Sequence, residues 1–522
     1  MFRRPAPRTP SGPTAPTPVT RPVTSLVAAL TLLAGSAAVF PALAAAAPIP
    51  NPYGANDAPV LIVLGQSNAE GWGAPLDAAD QAKCRSLSRV KGLNRTDNRT
   101  VGATSATWSQ YTCTGNNLGD EFNSGRNYTV ASATALRWQR ATEAGSKLPD
   151  LNVIHIAWGS QGIQSTDGSN NRWWPDRDPT DIASLFPLAM NTITNGLRAL
   201  QDAGKQPRVI GIHWNQWEAE AGYRSTISVD HIQRAFLKVL EPIRTVTGAP
   251  DAPVFLYRPR SATHDRTATL QAKDALVNIA GTAPYKLIDA RDATALTYSE
   301  DFATSQPGAY LYTLRDKTEQ QVEDTIWNMT KEEKQLGIFV PDAIHYRSDV
   351  QKWFADQQWK SVFADKRYGA PVKATVNAAL KRPATQSSTL AVGQSAAQAV
   401  DGNTSGVYAQ AIPSYTTNEA QPWWQVDLGA KQQIRSVEVF NRTDWVMERL
   451  SDFDVIVSDT DLTGRDWQSI QDDPTVKKIR IKGTAPAKLT VPVGTDGRYV
   501  RIQLAGTNFL TLPEVQVNVP TG

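Results

Sequence analysis

The sequence lacks several features that would point to a function at once. Its 53 basic and 50 acidic residues nearly cancel, leaving a net charge of +3. No field of one sign therefore marks it as a nucleic-acid-binding protein. Glycine and proline, at 34 each in 522 residues, are too few for a fibrous protein. The two cysteines have no histidine nearby, which excludes a cysteine–histidine zinc site. We expect no nucleic-acid partner and no cofactor in catalysis.

Long apolar runs are also scarce, and the most pronounced one lies near the N-terminus. Residues 1–24 contain arginines but no acidic residue, an apolar run follows over 26–40, and Ala42-Leu43-Ala44 comes next. This pattern predicts a secretory signal peptide over residues 1–46, with an uncleaved membrane anchor as the alternative. We therefore expect a secreted, extracellular protein with no membrane contact after cleavage.

The mature chain retains Cys84 and Cys113. An even number of cysteines in an exported protein favours a disulfide, here closing a loop rich in Ser, Asn, Thr and Arg. Two free buried thiols are the alternative.

The chain changes its pattern near residue 368. Before it, unalternated apolar runs rich in β-branched residues alternate with amphipathic helical segments, which predicts a doubly wound α/β domain with a parallel sheet over 47–368. The predicted strands are 60–64, 151–157, 208–213, 254–257 and 286–289. After a predicted linker at 369–380, short alternating runs separated by turns predict an antiparallel β-sandwich over 376–522.

Polar residues follow the predicted strands where the carboxyl ends of a parallel sheet meet. Ser67 follows the first strand in the turn GQSNAEG, Gly159 follows the second, and Gln216 follows the third. Asp342 lies three residues before His345 in a loop near the end of the domain. That spacing lets the carboxylate reach Nδ1 while Nε2 faces a nucleophile.

These blocks, GQSN, the later glycine, W-x-Q-x-E and D-x-x-H, resemble the SGNH hydrolases over about residues 58–365, and within them the sialate O-acetylesterase and carbohydrate esterase family 6 group. The resemblance implies a flavodoxin-like sheet, with Ser67 as nucleophile, His345 as general base and Asp342 as its partner. It also implies an oxyanion hole formed by the N–H groups of Ser67 and Gly159 and the side chain of Gln216.

The third block departs from the family pattern, since it reads WNQWEAE instead of WHQGESD. Glu218 in this block either supports His345 in place of Asp342 or buttresses the loop. Glu218 and Glu220 could also be a glycosidase pair, but residues two apart on an extended segment point to opposite faces. Four tryptophans are candidates for stacking on a sugar, with core packing as the alternative: Trp72, Trp173, Trp174 and Trp217.

The implied activity is removal of O-acetyl groups from carbohydrates, either an acetylated polysaccharide or sialic acid. The alternative is a secreted glycan-binding protein without catalytic activity. Retention of the serine, aspartate and histidine favours the enzyme.

The C-terminal region contains PWWQVDLG at 422–429 and RTDWVMER at 442–449. Together with flanking blocks they resemble the F-type (fucose-binding) lectins, which have a discoidin-like sandwich, over about 376–519. The resemblance implies a glycan ligand held by Arg442, Asp444 and Arg449, with Tyr415 at the position of the family histidine. The alternative is an internal salt-bridge cluster. The resemblance also implies a structural calcium ion at Asp401, Asn403 and Glu514, whose oxygen ligands suit Ca²⁺.

Overall fold

The structure of the protein is a computed structural model. It describes residues 50–95, 104–113, 116–119, 127–163, 171–177, 184–222, 228–258, 266–289, 321, 345–346, 348–363 and 368–521. The predicted signal peptide and the predicted catalytic Asp342 lie outside these residues.

The N-terminal domain is built on a mixed sheet whose central strands are parallel. In chain order the strands are β1 (Asp57–Gly65), β2 (Val90–Arg95), β3 (Thr104–Gln110), β4 (Leu151–Ala157), β5 (Gln206–Asn215), β6 (Val254–Tyr257), β7 (Tyr285–Ile288) and β8 (Ala370–Pro371). Their order in the sheet is β3-β2-β4-β1-β5-β6-β7, and β8 pairs with β5. The predicted strands pair in parallel, but the sheet as a whole is mixed, because β3 and β8, which were not predicted, run antiparallel to their neighbours.

Helices cover both faces of this sheet. They are α1 (Ser67–Glu70), α2 (Ala78–Cys84), α3 (Val130–Glu143), α4 (Leu185–Asp202), α5 (Glu218–Gly222), α6 (Val229–Thr247), α7 (Arg266–Ala280) and α8 (Ser348–Phe363). Alternate residues of β1 face opposite sides: Leu61 and Val63 pack with α3 and α8, whereas Val60 and Ile62 pack with α4, α6 and α7. Burial on both faces explains why β1 is apolar without alternation.

The order of the parallel strands fixes where a site can form. The chain passes from β1 to β4 on one side, and then returns across β1 to β5, β6 and β7 on the other. Such a reversal opens a crevice at the carboxyl ends of the strands. Cys84, at the end of α2, is joined to Cys113 by a disulfide.

The C-terminal domain is an antiparallel β-sandwich. Its main sheet has the order β15-β14-β16-β13-β19-β9, and β10 pairs with β13. The strands are β9 (Thr375–Asn377), β10 (Ala384–Gln386), β13 (Trp423–Phe440), β14 (Ser451–Ser458), β15 (Lys477–Thr484), β16 (Lys488–Leu504) and β19 (Glu514–Pro520). Two short pairs complete it: β11 (Ser414–Tyr415) with β18 (Thr511–Leu512), and β12 (Glu419–Ala420) with β17 (Thr507–Asn508). A short helix, α9 (Trp467–Gln471), precedes β15.

The predicted linker at 369–380 is structured at both ends, since it contains β8, which pairs with the first sheet, and β9, which pairs with β19 of the sandwich. Among the residues that the structure describes, no helix combines the length and apolarity needed to cross a membrane.

Candidate functional site

Ser67 lies at the carboxyl end of β1, on a turn that only glycine permits. Gly65 has φ +143°, and a Cβ there would lie 2.0 Å from the carbonyl oxygen of Asn215 on β5. The N–H of Gln66 donates to that same oxygen at 3.1 Å. Ser67 follows as the first residue of α1 and is 8% exposed. The turn therefore places a nearly buried serine at the carboxyl end of β1, beside the crevice.

Gly159, just after β4, lies beside this serine. A Cβ on Gly159 would be 3.4 Å from the Cβ of Ser67 and 3.1 Å from Oε2 of Glu70. The preceding Trp158 donates its N–H to the Gly65 carbonyl at 3.1 Å, which joins the two strand ends. The structure thus brings together two of the three predicted oxyanion-hole residues.

His345 reaches the same edge from the other end of the domain. Its ring stacks on that of Trp72, with centroids 6.0 Å apart. The N–H of the next residue, Tyr346, donates to Oδ1 of Asn68 at 3.0 Å. The residues that follow the serine and the histidine are therefore hydrogen bonded to each other.

Glu218 is a carboxylate that the structure places near His345. It is buried, and it accepts hydrogen bonds from Nε2 of Gln66 at 2.6 Å and from Nδ2 of Asn68. Burial raises the pKa of Glu218, while the Asn68 hydrogen bond and the charge of His345 oppose that rise. Both roles predicted for Glu218, support of the histidine and anchoring of the loop, are thus compatible with its position.

Gln216 is held by protein acceptors. Its Nε2 donates to the carbonyl of Gln161 at 2.6 Å and to Oε1 of Gln66 at 3.0 Å. A primary amide has two N–H groups, and Glu220 Oε2 lies within reach as a further acceptor, so neither N–H group lacks a protein acceptor. The predicted donation from Gln216 to a substrate oxyanion would require one of these hydrogen bonds to break.

Glu220 connects two of the loops. Its Oε1 accepts the N–H of Ile163 at 2.5 Å, and its Oε2 lies 3.2 Å from Nε2 of Gln216. Burial raises its pKa to about 7. The expectation that Glu218 and Glu220 lie on an extended segment is wrong, because both lie in the helix α5 and contact one network. Because α5 is so short, its residues were predicted to be extended, and the contacts of Glu220 were therefore not predicted.

The predicted sugar-stacking tryptophans separate by burial. Trp173 and Trp217 are at most 1% exposed and belong to the core, so that prediction is wrong for them. Trp174 is covered by Lys238, whose Nζ lies 4.4 Å from its ring centroid. Trp72 is 50% exposed and lies beside His345.

A second candidate site lies on the sandwich. Arg442 forms a two-pronged ion pair with Asp444, Nε to Oδ1 at 2.8 Å and Nη2 to Oδ2 at 2.5 Å, which lowers the pKa of Asp444. The guanidinium carbon of Arg442 also lies 5.0 Å from the ring centroid of Tyr408. The predicted internal ion pair therefore exists between these two residues, and it fixes the guanidinium plane of Arg442, whose side chain is almost fully buried.

Arg449 is framed by aromatic rings. Its guanidinium carbon lies 4.8 Å from the ring centroid of Phe509 and 5.4 Å from that of Tyr415. Gln394 contacts the surroundings of both arginines. Its side-chain Nε2 donates to Tyr408 Oη at 2.9 Å, and its main-chain carbonyl accepts the Tyr415 N–H at 3.2 Å. Sequence reasoning missed Phe509, which is distant along the chain. It also missed Trp445, which is 88% exposed and stands inside the recognised motif.

Hydrogen bonds compensate only part of the negative charge of the acidic residues at the predicted calcium site. Glu514 is fully buried. Its Oε2 accepts the Gly402 N–H at 3.3 Å, while its Oε1 has no hydrogen-bond partner within the described part of the chain. Burial and the charge of Asp401 raise the pKa of Glu514 to about 8. Asn403 adjoins them, donating its N–H to Asp401 Oδ1 at 2.7 Å.

These oxygens fit a hard cation, which would compensate the buried carboxylate. Over the described residues, no cluster of three or more His, Cys, Asp or Glu could hold a metal. Such an ion would therefore need amide, carbonyl or water oxygens to complete its ligand set.

Comparison with known proteins concerns the sandwich. Residues 383–514 match the family model of the F5/8 type C domain. Fucolectin-1 of Anguilla japonica is 34% identical over 148 residues, which is 27% of this chain and 80% of that protein. Fucolectin of Anguilla anguilla is 32% identical over 149 residues, covering 27% of this chain and 90% of that protein. A fucose-binding module from Streptococcus pneumoniae is 30% identical, covering 27% of this chain and 96% of the module, with a TM-score of 0.24.

Proposed function

The chain belongs to the fucolectin family through its C-terminal sandwich, and on this premise we propose that it is a secreted carbohydrate O-acetylesterase whose sandwich binds a glycan. The substrate would be an acetylated polysaccharide or an O-acetylated sialic acid. The signal-peptide pattern and the Cys84–Cys113 disulfide support export.

One observation carries the esterase half of the proposal. Gly159 lies beside Ser67 at the carboxyl end of β1, where the strand order reverses, and the residue after His345 is hydrogen bonded to the residue after Ser67. A serine beside a histidine, with backbone N–H groups alongside, is the arrangement that acyl transfer requires. The strand order β4-β1-β5-β6-β7 also corresponds to that of flavodoxin-like sheets.

In the proposed reaction, His345 accepts the proton of Ser67 as its oxygen attacks the acetyl carbonyl. The N–H groups of Ser67 and Gly159 stabilise the resulting oxyanion. His345 then gives the proton to the sugar oxygen as its bond to the acetyl carbon breaks, which leaves an acetyl-serine. His345 next deprotonates a water molecule that attacks the acetyl-serine, and it returns this proton to the oxygen of Ser67 as acetate departs. Glu218, buried near the imidazole, would stabilise its protonated form together with or instead of Asp342.

The first experiment measures acetate release from acetylated xylan and from an O-acetylated sialoside. Ser67→Ala should reduce the rate to background, since it removes the nucleophile. Ser86→Ala is the matched control, because Ser86 is exposed and only donates to the Lys83 carbonyl. If neither wild type nor Ser86→Ala released acetate from a folded protein, the alternative of an inactive glycan-binding protein would be the better account.

The glycan half rests on the sandwich's fucolectin relatives and on Arg442 and Arg449. Guanidinium groups can donate two hydrogen bonds to neighbouring sugar hydroxyls, and Phe509 and Trp445 offer apolar faces for the ring. Tyr415 replaces the family histidine and packs edge-on against Phe509, with centroids 5.8 Å apart. Affinity for fucose must therefore come from the arginines and the aromatic residues.

A glycan array tests this half. Arg449→Ala should abolish binding, and Arg449→Lys should restore it only in part, because lysine cannot donate in a two-pronged geometry. Arg498→Ala removes an arginine from a surface ion pair with Asp427 and is the control. Wild-type protein that bound no glycan on a broad array would refute the binding role.

We also propose a structural Ca²⁺ at Asp401 and Glu514, with Asn403 nearby. Its charge would offset the two carboxylates, one of which is fully buried.

A further inference from the structure

A buried carboxylate on the sandwich is compensated from the other domain. Glu438, on β13, has no exposed surface. Arg198 on α4 donates to it twice, Nη2 to Oε1 at 3.0 Å and Nη1 to Oε2 at 3.2 Å. Lys488, on β16, lies 3.0 Å from Oε1. Burial would raise the pKa of Glu438, but these two cations hold it below its usual value. The charge of Glu438 thus depends in part on a residue of the α/β domain.

The same helix recognises the backbone of the sandwich. Asn191 donates through Nδ2 to the Lys488 carbonyl at 3.1 Å, and its Oδ1 accepts the N–H of Thr490 at 2.9 Å. One turn further on, Asn195 accepts a hydrogen bond from Nζ of Lys488 at 2.8 Å. The side chain of Asn191 therefore satisfies a C=O and an N–H of β16, as a neighbouring strand would.

A third contact is made at the end of α6. Gly248 terminates that helix with φ +61°, and a Cβ there would lie 2.3 Å from the guanidinium carbon of Arg435 on β13. Burial lowers the pKa of Arg435 to about 10. The Gly248 carbonyl also accepts the N–H of Lys373, between β8 and β9. The guanidinium group of Arg435 thus lies against the C-terminal, negative end of α6, which is a favourable position for a cation.

From these contacts we propose that the sandwich is a permanently docked partner of the α4–α6 face, anchored by Glu438, and not a module swinging on a flexible linker. The two domains then unfold together, and the sandwich holds its glycan site in one orientation relative to Ser67. The docking is independent of the activities proposed above, since none of its residues belongs to either site.

The test uses the full chain and two variants. Glu438→Gln removes the buried charge but keeps the side-chain shape, leaving Arg198 and Lys488 without their anion. Asp496→Asn makes the same chemical change at an exposed position of the sandwich and is the matched control. Differential scanning calorimetry should give one cooperative transition for wild type and for Asp496→Asn. Glu438→Gln should lower the midpoint temperature by at least about 5 °C or split the transition in two. Removing one charged partner of a buried ion pair is costly, because the remaining charges stay buried without a counter-ion.

Hydrogen exchange gives a second readout that local destabilisation of the sandwich would not reproduce. Asn191→Ala removes the acceptor of the Thr490 N–H while leaving the sandwich sequence unchanged. We expect exchange in the peptide containing Thr490 to accelerate at least about tenfold in Asn191→Ala and in Glu438→Gln, whereas the core of β14 stays protected. Two independent transitions in wild type, or exchange at Thr490 unaffected by both variants, would overturn the proposal.

Discussion

Replacing Glu220 with glutamine should change how the stability of the protein depends on pH. The carboxyl group lies buried between the Ile163 N–H and the Gln216 amide, and burial raises its pKa to about 7, from an ordinary value of 4.5. Glutamine keeps an oxygen that can accept the Ile163 N–H but cannot ionise. The variant therefore isolates the cost of charging this position.

The direction and size of this change in the free energy of unfolding follow from the linkage between proton binding and folding. Between pH 4.5 and 7 the folded state keeps a proton on Glu220 that the unfolded state releases, so ionisation makes wild type less stable as the pH rises through this window. Each pKa unit corresponds to about 1.36 kcal/mol, which places the full cost at roughly 3 kcal/mol. Most of it should accumulate between pH 5 and pH 8.

Urea denaturation of wild type and variant at a series of pH values measures this difference. We expect the free energy of unfolding of Glu220→Gln, relative to wild type, to increase by roughly 2–3 kcal/mol between pH 5 and pH 8. Glu448→Gln, at an exposed position, is the matched control. A difference between Glu220→Gln and wild type that stayed constant over this range would mean that Glu220 is ionised in the folded protein, and the reasoning from burial would fail.

Two further predictions concern stability. Adding Ca²⁺ should raise the melting temperature of wild type but not of Glu514→Gln, because the variant lacks the buried carboxylate; equal shifts in the two proteins would contradict a calcium site there. Replacing Cys84 and Cys113 by serine should lower the free energy of unfolding by roughly 3–4 kcal/mol, given their separation of 29 residues. Urea denaturation of oxidised wild type and the double variant measures this loss, and indistinguishable midpoints would argue against a stabilising bond.

The strands buried on both faces were the easiest part of the fold to predict. The predicted strand at 151–157 coincides with β4, and that at 254–257 with β6, because short apolar runs rich in β-branched residues favour a buried strand. The antiparallel pair β2–β3 was missed, since its residues are largely polar. In the sandwich, the short alternating runs at 424–428 and 434–440 belong to one strand, β13, whose ladder to β16 shifts register between Asp427 and Gln432.

At the candidate sites, sequence motifs identified residue types but not their partners. GQSN and R-x-D-x-x-x-x-R located Ser67 and Arg442, since each motif is local. The contacts of Gln216 with Gln161 and of Arg449 with Phe509 join distant parts of the chain, and no single segment predicts them. The docking of Arg198 on Glu438 likewise combines two domains that the sequence presents as separate.

The most direct test of the account is labelling with a fluorophosphonate probe, which reacts only with an activated serine, followed by mass spectrometry of the digested protein. We expect stoichiometric modification at Ser67 in wild type. Little or no labelling of that serine is expected in folded His345→Ala, because the variant lacks the base that activates it. No modification of Ser67 in wild type, or equal labelling of Ser67 in wild type and His345→Ala, would contradict the proposed catalytic pair.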